Sequence, residues 1–493
     1  MWSHLVMKPK RWHRPLAGAS ATAVLLALTA CGGGGGNGVP PPNDIGTLAY
    51  VVTECRDTAD GFLESQALHI SHGDRDVTVM ETPGVGPISG LGGLCRALTS
   101  FRGGDTSISR DAFQGLAVSA EGAAVVFEVT DDFSAFPKLP LHLAPEQKGI
   151  FFVRADGSGL HRLGPPSRLP FFILSNGFTD LLRSFSFSLD GRLISFADTG
   201  PGRPDGQDAA QVFTLDAETG QRTQVTHLPP GIPSAEYPSD APGVLGPTFI
   251  DSQTIGFLTD ANPDGLNNTH NFYPFTVRTD GSDQMASAFP VAVAGSQIVP
   301  AFEITGDKPF ATTLSVPGQP QNETPGQSFS IGEVFVIDGK NELQLTNFQR
   351  VDTGNATVDA DRQTIFFLAS ADPLGTNPSK NCQVFSVDRI GGDMRQLTQF
   401  GEAPHSMNGC YFGRRGTGCV VYKLSQDSRT RRLIFYSSCD PLGTNPLGAQ
   451  VFAMRPDGSE LRQLTHTRGL MTEADGTFIG ELPGPIAYGP HSP

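Results

Sequence analysis

Two stretches of the sequence are nearly the same: ASADPLGTNPSKNCQVF at residues 369–385 and SSCDPLGTNPLGAQVF at residues 437–452. Both contain Asp-Pro-Leu-Gly-Thr-Asn-Pro, 68 residues apart, and both continue into Gln-Val-Phe. A seven-residue identity at a fixed spacing indicates an internal repeat. Repeats of this length are typical of folds that are built from successive copies of one structural unit.

The repeat can be followed over most of the chain. A full copy is FSFSLDGRLISFAD at residues 185–198, followed by QVFTLDAETGQRTQVT at residues 211–226. Each copy is predicted to form four short strands, A to D, which are rich in Val, Ile, Phe and Thr and are separated by turn residues. Since no stretch has a sustained helical period, the sequence predicts an all-β protein.

Four-stranded meanders repeated around a ring form a β-propeller, which leaves only short sheet edges exposed. We count seven copies in residues 46–493, about 64 residues each, and expect a single propeller of seven blades, with six or eight as the alternatives. The first copy lacks strand A. The segment GTFIGELPGPIAYG at residues 476–489 follows the last strand D, so we predict that this C-terminal strand completes the first blade and closes the ring.

Residues 1–30 are predicted to lie outside the fold. Four basic residues precede a short apolar run at residues 16–28, and LTAC follows at residues 28–31. The apolar run is shorter than the ~20 residues of a membrane-spanning helix, which favours a cleaved export signal. The small residues before Cys31 resemble the lipobox of bacterial lipoproteins; the alternative is an ordinary signal peptide with a chance cysteine.

The lipobox resemblance implies that Cys31 carries a lipid and that residues 31–45 form a Gly/Pro-rich tether. Gly32 follows the cysteine, and in such lipoproteins this implies sorting to the outer membrane, on its periplasmic or its surface-exposed side. Removal of the four basic residues before Cys31 moves the formal net charge from −15 to −19. Because so acidic a chain repels nucleic acid and anionic lipid, we expect no nucleic-acid partner and a membrane contact only through the lipid anchor.

The Asp-Gly turns, the apolar strand before a variable loop and the closing Arg-Gln-Leu-Thr resemble the TolB-like (WD-like) β-propeller family. The resemblance covers nearly the whole chain after the tether and is strongest over residues 185–226 and 359–465. It implies a protein of the bacterial cell envelope. This chain differs from TolB itself because it has a lipobox, lacks the α/β domain and has an additional predicted blade. We therefore expect a lipoprotein relative of TolB.

In an up-and-down blade, the A–B and C–D turns lie on one face of the disc, and the B–C and D–A connections lie on the other. The C–D turns are tight, as at Asp156-Gly157 and Asp457-Gly458. The long segments are all B–C or D–A connections, and a rigid scaffold commonly carries its binding residues on such loops. The segments predicted to be long loops are residues 55–65, 83–112, 131–148, 260–271, 317–330 and 399–418.

Both Asp-Pro-Leu-Gly-Thr-Asn-Pro segments are predicted B–C loops on this face. Asp, Pro and Gly occupy the preferred positions of a type I turn, and the final Asn-Pro returns the chain to an extended strand. The segment is therefore interpreted mainly as a preformed loop that was copied with its blade. If the face binds a partner, the candidate contact residues are Asp372, Asn377, Asp440 and Asn445.

A cation site is the functional alternative for one equivalent loop. Asp260, Asn262 and Asp264, followed by Gly265, match the first half of a calcium-binding loop, in which oxygens at positions 1, 3 and 5 converge on the ion. Position 12 is Asn271 in place of the bidentate glutamate, so only half of the motif is present. Calcium is the single cofactor that the sequence suggests, and none is otherwise expected.

Six cysteines remain after Cys31, an even number that favours disulfides in an exported protein. We expect one bond between the first two, and one between Cys419 and Cys439, which lie at the same end of one hairpin. The last pair follows from these two, although three pairings of the last four cysteines are open. The six residues are Cys55, Cys95, Cys382, Cys410, Cys419 and Cys439.

Two classes of function fit the sequence. The first is a non-catalytic envelope lipoprotein that binds a protein, a peptide or a polymer through its loop-rich face. The alternative is a propeller enzyme, a lyase or hydrolase, with a metal or polar site at the central channel. The sequence has no Gly-x-Ser-x-Gly nucleophile motif, which favours the first.

Overall fold

The computed structural model of the chain describes a large part of the unit Pro42–Pro493. The signal peptide, residues 1–30, and the tether, residues 31–45, lie outside the described residues. The ranges that the structure describes are 46–58, 61–72, 75–88, 95, 112–131, 143–169, 185–202, 208–229, 243–259, 261, 273–286, 310–316, 331–338, 341–350, 353–359, 363–401, 410, 421–427, 430–445 and 448–488.

The residues that the structure describes form antiparallel β-sheets almost throughout, as the sequence predicts for an all-β protein. Sheet 1 has five strands in the order β27-β28-β1-β2-β3, so it combines the two ends of the described chain. Its strands are β1 (Thr47–Thr58), β2 (Gly61–His72), β3 (Arg75–Ile88), β27 (Gly469–Thr472) and β28 (Phe478–Tyr488).

The other sheets follow one another along the chain, and in each the strands pair in sequence order. Sheet 2 contains β4 (Phe113–Val118), β5 (Ala124–Val129), β6 (Gly149–Arg154) and β7 (His161–Gly164), with a 3₁₀ turn, Pro145–Gln147, before β6. Sheet 3 contains β8 (Ser186–Phe187), β9 (Leu193–Pro201), β10 (Asp208–Asp216) and β11 (Arg222–Gln224). Sheet 4 contains β12 (Leu245–Phe249), β13 (Thr254–Thr259), β14 (Tyr273–Arg278) and β15 (Met285–Ala286).

The last three sheets continue the pattern. Sheet 5 contains β16 (Phe310–Val316), β17 (Ile331–Asp338) and β18 (Asn341–Gln344), and its expected first strand falls outside the described residues. Sheet 6 contains β19 (Gly354–Val358), β20 (Thr364–Ala369), β21 (Gln383–Asp388) and β22 (Arg395–Gln396). Sheet 7 contains β23 (Val421–Gln426), β24 (Leu433–Ser437), β25 (Gln450–Met454) and β26 (Arg462–Gln463).

A phenylalanine pair forms the centre of five sheets. In each, one phenylalanine on the second strand lies directly opposite one on the third, with ring centroids 5.6 to 6.0 Å apart. Such cross-strand aromatic pairs contribute about 0.5–1.5 kcal/mol beyond their buried area. The pairs are Phe127 with Phe151, Phe196 with Phe213, Phe257 with Phe275, Phe367 with Phe385 and Phe435 with Phe452.

Apolar side chains between neighbouring sheets form the rest of the core. Separate buried clusters join sheets 1 and 2, sheets 2 and 3, sheets 3 and 4, sheets 5 and 6, and sheets 6 and 7. A further cluster joins the first and the last sheet, because Leu48 and Tyr50 of β1 pack with Ile434 and Tyr436 of β24. Sequential packing of antiparallel four-stranded sheets is the construction of a β-propeller.

The C-terminal strand pairs with the N-terminal strand, as the sequence predicts for residues 476–489. β28 runs antiparallel to β1, from Leu48 opposite Tyr488 to Asp57 opposite Phe478. Its buried residues include Ile479 and Leu482. Without β28, the backbone groups on this edge of β1 would lose their partners.

One loop prediction is wrong. Residues 55–65 were expected to form a long B–C loop, but they belong to β1 and β2, which are joined by only two residues. Residues 83–88, expected at the start of the next long loop, continue β3. The physical reason is that β28, which comes from the far end of the chain, and β3 flank the β1–β2 hairpin and supply the partners for its extension.

A buried hydrogen-bond network, which we name the glutamine–threonine clasp, recurs in several sheets. In sheet 7, Gln450 is the first residue of the third strand. Its side-chain Oε1 accepts from Thr465 Oγ1 at 2.8 Å and from the backbone N–H of Thr467 at 3.2 Å. Its Nε2 donates to Thr467 O at 2.7 Å, and Thr465 Oγ1 accepts from the N–H of Val451 at 2.9 Å. The clasp therefore joins the third strand to the chain that leaves the fourth.

In sheets 3 and 6, the equivalent atoms make the same bonds. In sheet 5 a buried glutamate, Glu333, occupies the glutamine position, and its carboxylate accepts from Thr346 Oγ1 at 2.6 Å. An unbonded buried amide would cost about 1–3 kcal/mol, so each clasp removes a large penalty. The other two complete clasps are Gln211 with Thr226 and Leu228, and Gln383 with Thr398 and Phe400.

A shortened chain tests the pairing of the two termini. A chain that ends after His466 lacks β28, loses the burial of Ile479 and Leu482, and leaves an edge of β1 unpaired. We expect the free energy of unfolding to fall by about 3–6 kcal/mol, from the apolar burial alone. Thermal and urea unfolding measure the change, with a chain that ends after Tyr488 as the matched control. Equal stability of the two chains would contradict a structural role for β28.

Candidate binding surface on the loop face

Connections between strands divide the molecule into two faces. The turn face is the side that carries the connections from the first to the second strand and from the third to the fourth strand of each sheet. The loop face is the side that carries the connections from the second to the third strand and from each sheet to the next. On the turn face the connections are short, as in the turn that Gly458 N–H closes on Arg455 O at 2.9 Å. Both Asp-Pro-Leu-Gly-Thr-Asn-Pro segments join a second to a third strand, so they lie on the loop face.

The two loops have the same conformation. In each, the aspartate Oδ1 accepts the backbone N–H of the asparagine five residues later, at 2.7 Å in both copies. Gly375 and Gly443 have φ of +72° and +67°, a region that glycine enters without steric cost. The turn that the sequence predicts is therefore present twice, and Asp372 and Asp440 each hold one copy closed.

The loop asparagines tie the ends of each loop together. Asn377 Nδ2 donates to Ala371 O at 2.9 Å and to Asn381 O at 2.8 Å, and its side chain is buried. Asn445 Nδ2 donates to Cys439 O at 3.0 Å in the second copy and is also buried. The expectation that Asn377 and Asn445 face a partner is therefore corrected, because their amides are used inside the loop.

A threonine connects each loop to the clasp of its sheet. Thr376 Oγ1 donates to Gln396 Oε1 at 2.6 Å, and Gln396 Nε2 donates to Thr398 O, next to the clasp, at 2.6 Å. In sheet 7, Thr444 makes the equivalent bond to Gln463, also at 2.6 Å. Sequence reasoning missed this link. Its signal was present, because Arg-Gln-Leu-Thr follows both loops at nearly the same distance, 23 residues after Asp372 and 22 residues after Asp440.

The exposed part of each loop is its apolar tip. Leu374 and Leu442, at equivalent positions, retain 45% and 44% of their surface. These leucines lie beside exposed prolines; the aspartate of each loop bonds within the loop, and the threonine bonds to the fourth strand. The loops therefore present two matching rigid apolar tips on neighbouring sheets.

Disulfides fix two of the long connections on the same face. The bonds are Cys55–Cys95, with the Cα atoms 5.5 Å apart, and Cys382–Cys410, with the Cα atoms 5.0 Å apart, and both match the predicted pairing. Cys439 is also disulfide-bonded. The predicted partner, Cys419, lies outside the described residues, so that pairing stays a prediction.

Sheet 1 extends beyond the level of its neighbours on the loop face. In sheets 6 and 7 the third strand begins at the clasp glutamine, whereas β2 has five residues before the equivalent Gln66. Five residues of strand add about 17 Å. We name this extension the arm; it comprises residues 54–58, 61–65, 83–88 and 478–481 together with β27.

Ion pairs connect the strands of the arm. Arg468, beside β27, pairs with Glu54 of β1 at 3.1 Å and with Glu481 of β28, and Arg56 lies 3.9 Å from Glu473. The hydrogen bond that Arg468 donates to Glu481 holds the pKa of Arg468 above its usual value. A Cβ built on Gly448, at the end of the second loop, would lie 3.0 Å from Gly469 of β27. The arm and the end of this loop are therefore in contact. We name the two loop tips of sheets 6 and 7 together with the arm the loop–arm surface.

The calcium hypothesis falls outside the described structure, since Asp260, Asn262 and Asp264 are not among the described residues. Within the residues that are described, no three His, Cys, Asp or Glu side chains are arranged to hold a metal ion. Calcium therefore stays a prediction from sequence.

A polar cluster that the sequence did not predict lies between sheets 1 and 7. The hydroxyl of Tyr50 donates to Asp76, whose second oxygen lies 3.2 Å from Nδ1 of His69, and the Tyr50 and His69 rings stack. Burial, and then the bond to Asp76, raise the pKa of Tyr50. Burial would raise the pKa of Asp76, but hydrogen bonds from His69 and Tyr50 outweigh it and lower that pKa. Since Tyr50 is buried in the core, this cluster stabilises the packing of β1.

Comparison with known proteins gives fold relatives only. No family model and no curated protein matches the chain. Solved structures similar to it include TolB from Acinetobacter baumannii, at 14% identity and a TM-score of 0.33, covering 91% of this chain and 68% of that one.

Two further neighbours are different proteins. The β-propeller domain of the Trilobed protease from Pyrococcus furiosus has 11% identity, a TM-score of 0.39, and coverage of 73% and 86%. Oligogalacturonate lyase from Vibrio parahaemolyticus has 8% identity, a TM-score of 0.37, and coverage of 78% and 87%. The neighbours thus include TolB structures and other propellers. At such identities and TM-scores they carry no information on the function of this chain.

The preformed loop is tested by replacing its buried amide. Asn377→Ala leaves the carbonyls of Ala371 and Asn381 without their donor, so we expect the free energy of unfolding to fall by about 2–3 kcal/mol. Asn445→Ala is expected to behave alike, while Leu374→Ala at the exposed tip changes stability by less than about 0.5 kcal/mol. Urea unfolding measures all three. A neutral Asn377→Ala would mean that the loop does not depend on this amide.

Proposed function

We propose that this chain is a non-catalytic lipoprotein of the bacterial cell envelope that binds a protein, peptide or polymer partner through its loop–arm surface. In this proposal the seven sheets are the blades of one propeller, and β28 closes the ring by pairing with β1. The observation that carries the proposal is the pair of identical loops. Two adjacent sheets present the same apolar tip, held by the same buried hydrogen bonds, beside a disulfide-linked arm.

Rigid, exposed apolar groups favour binding because little conformational entropy is lost when a partner orders them. Leu374 and Leu442 have this property, since Asp372, Asn377 and their counterparts fix the backbone before any partner arrives. The described residues contain no helix that is long and apolar enough to span a membrane. Attachment to the envelope is assigned in this proposal to a lipid on Cys31.

The first residue of β1 shows on which face the chain enters sheet 1. Oγ1 of Thr47, the first residue of β1, lies 2.8 Å from His72 Nδ1 and donates to the carbonyl of Gly122. His72 precedes the β2–β3 turn, and Gly122 belongs to the β4–β5 turn, so both lie on the turn face. The chain therefore enters sheet 1 on the turn face, opposite the loop–arm surface.

Photocrosslinking in intact cells tests the binding face. A photoreactive amino acid at position 374 or 442 is expected to capture a partner, and the same amino acid at Leu160 or Ile390 is not. These controls are matched, because both residues are exposed and apolar but lie at third-to-fourth turns on the opposite face. Adducts formed only from the turn-face positions would contradict the proposal.

Replacing Cys31 tests the lipid anchor. In cells that produce the Cys31→Ser variant, fatty-acid labelling should disappear and the protein should leave the membrane fraction. Persistent labelling would contradict the lipid anchor.

A further inference from the structure

Two leucines at equivalent positions are the only exposed large apolar side chains on the loop face, among the residues that the structure describes. Leu374 and Leu442 retain 45% and 44% of their surface. A single exposed apolar residue is normal on a protein surface, but two that match in position and in exposure indicate a shared role. The other exposed large apolar side chains lie in turn-face connections or in an outer strand: Leu160, Leu189, Leu343 and Ile390.

The conformation of the loop does not require a leucine at its tip. The aspartate, glycine, threonine and asparagine of each copy hold the backbone in place, as described above. The leucine occupies the third position of a type I turn, which accepts most residues. Neither Leu374 nor Leu442 belongs to a buried apolar cluster of the described residues. Both side chains are therefore available for a contact outside the chain.

The two copies differ directly after the tip. Four residues separate Pro378 from Gln383, whereas three separate Pro446 from Gln450. The exposed Lys380 of the first copy has no basic counterpart in the second. The exposed part that the copies share is the tip itself, Pro-Leu-Gly-Thr in both. Since neighbouring positions have changed, the identity of the tips favours a common contact over the copying of a blade alone.

Each tip is held in the same way against its own sheet. Thr376 Oγ1 donates to Gln396 Oε1, and Thr444 Oγ1 donates to Gln463 Oε1, at 2.6 Å in both copies. The threonine hydroxyl of each tip is thus bonded within the protein, and the leucine beside it offers an apolar contact. A pocket that fits one tip therefore fits the other with the same contacts. Such a pocket must be apolar, because a polar group buried there without a partner would be costly.

We propose that the partner is a protein that presents the same apolar pocket twice, and that Leu374 and Leu442 occupy the two pockets at the same time. The proposal rests on the proposed function, because it specifies the partner of the same face. Such a partner is a homo-oligomer or contains an internal repeat. Two linked contacts bind more tightly than either alone, since the second forms within the complex at a high effective concentration. The rigid tips add to this, because little entropy is lost when they are bound.

The first test maps what each tip touches. The full-length chain carries a photoreactive amino acid at position 374 or at position 442, and the adducts formed in intact cells are mapped by mass spectrometry of the crosslinked peptides. We expect both positions to capture the same segment of one partner, or two segments of like sequence within it. Capture of unrelated segments by the two positions would overturn the proposal and leave the proposed function standing.

The second test measures whether the tips act together. With the photoreactive amino acid at position 374, Leu442→Ala should lower capture about fivefold, because the burial of half a leucine side chain is lost from the same complex. Leu374→Ala should have the same effect on capture from position 442. The matched control is Leu189→Ala, an exposed leucine of the turn face, which should change capture less than twofold.

The outcomes separate this proposal from the proposed function. Capture from position 374 that does not change in Leu442→Ala would show that the tips bind independently, and it would overturn simultaneous occupation alone. An equal loss in Leu442→Ala and Leu189→Ala would contradict a specific coupling between the tips. No capture from either tip would contradict the proposed function as well, because the loop–arm surface would then not be the binding face.

Discussion

The buried amide at the start of the third strand constrains the rest of the molecule. A glutamine side chain there cannot reach water, so its oxygen and nitrogen must be satisfied within the protein. Gln383 meets this requirement with Thr398 and with the backbone of Phe400, which belongs to the chain leaving the sheet. The bond network therefore fixes three things together: the register of the third and fourth strands, the course of the outgoing chain and the position of the loop before the third strand.

The loop–arm surface depends on this constraint. Thr376 and Thr444 bond to glutamines whose other side-chain atoms bond next to the clasp, so the loop tips are attached to the interior of their sheets. The protruding part of sheet 1 is held differently. Its strands extend past the level of Gln66, and a disulfide and ion pairs fix the extension. Both devices yield a rigid protruding surface on one face. The opposite face has short turns and receives the N-terminal end of β1.

Much of the fold and of the loop conformation could be predicted from the sequence, because each copy of the repeat has the same turn residues. The Asp-Pro-Leu-Gly turns, the four-stranded copies and the pairing of the C-terminal strand all follow from local patterns and from the position of each copy in the order. The extension of β1 and β2 could not be predicted, since residues 55–65 contain Cys, Asp, Thr and Gly, and only the distant β28 makes them a strand. Asn377 was interpreted as a surface residue because turn asparagines usually are, whereas its amide is buried.

Amide hydrogen exchange of the folded, full-length chain tests the clasp most directly. The N–H groups of Val384 and Phe400 donate to Thr398 Oγ1 and Gln383 Oε1, and those of Val451 and Thr467 make the equivalent bonds in sheet 7. We expect all four to exchange orders of magnitude more slowly than the N–H of Leu442 at the exposed loop tip, because their exchange requires a cooperative opening of the sheet. In the Thr398→Val variant, Val384 should exchange faster while Val451 keeps its protection. Exchange of these four amides as fast as that of Leu442, or an unchanged Val384 in the variant, would contradict the account.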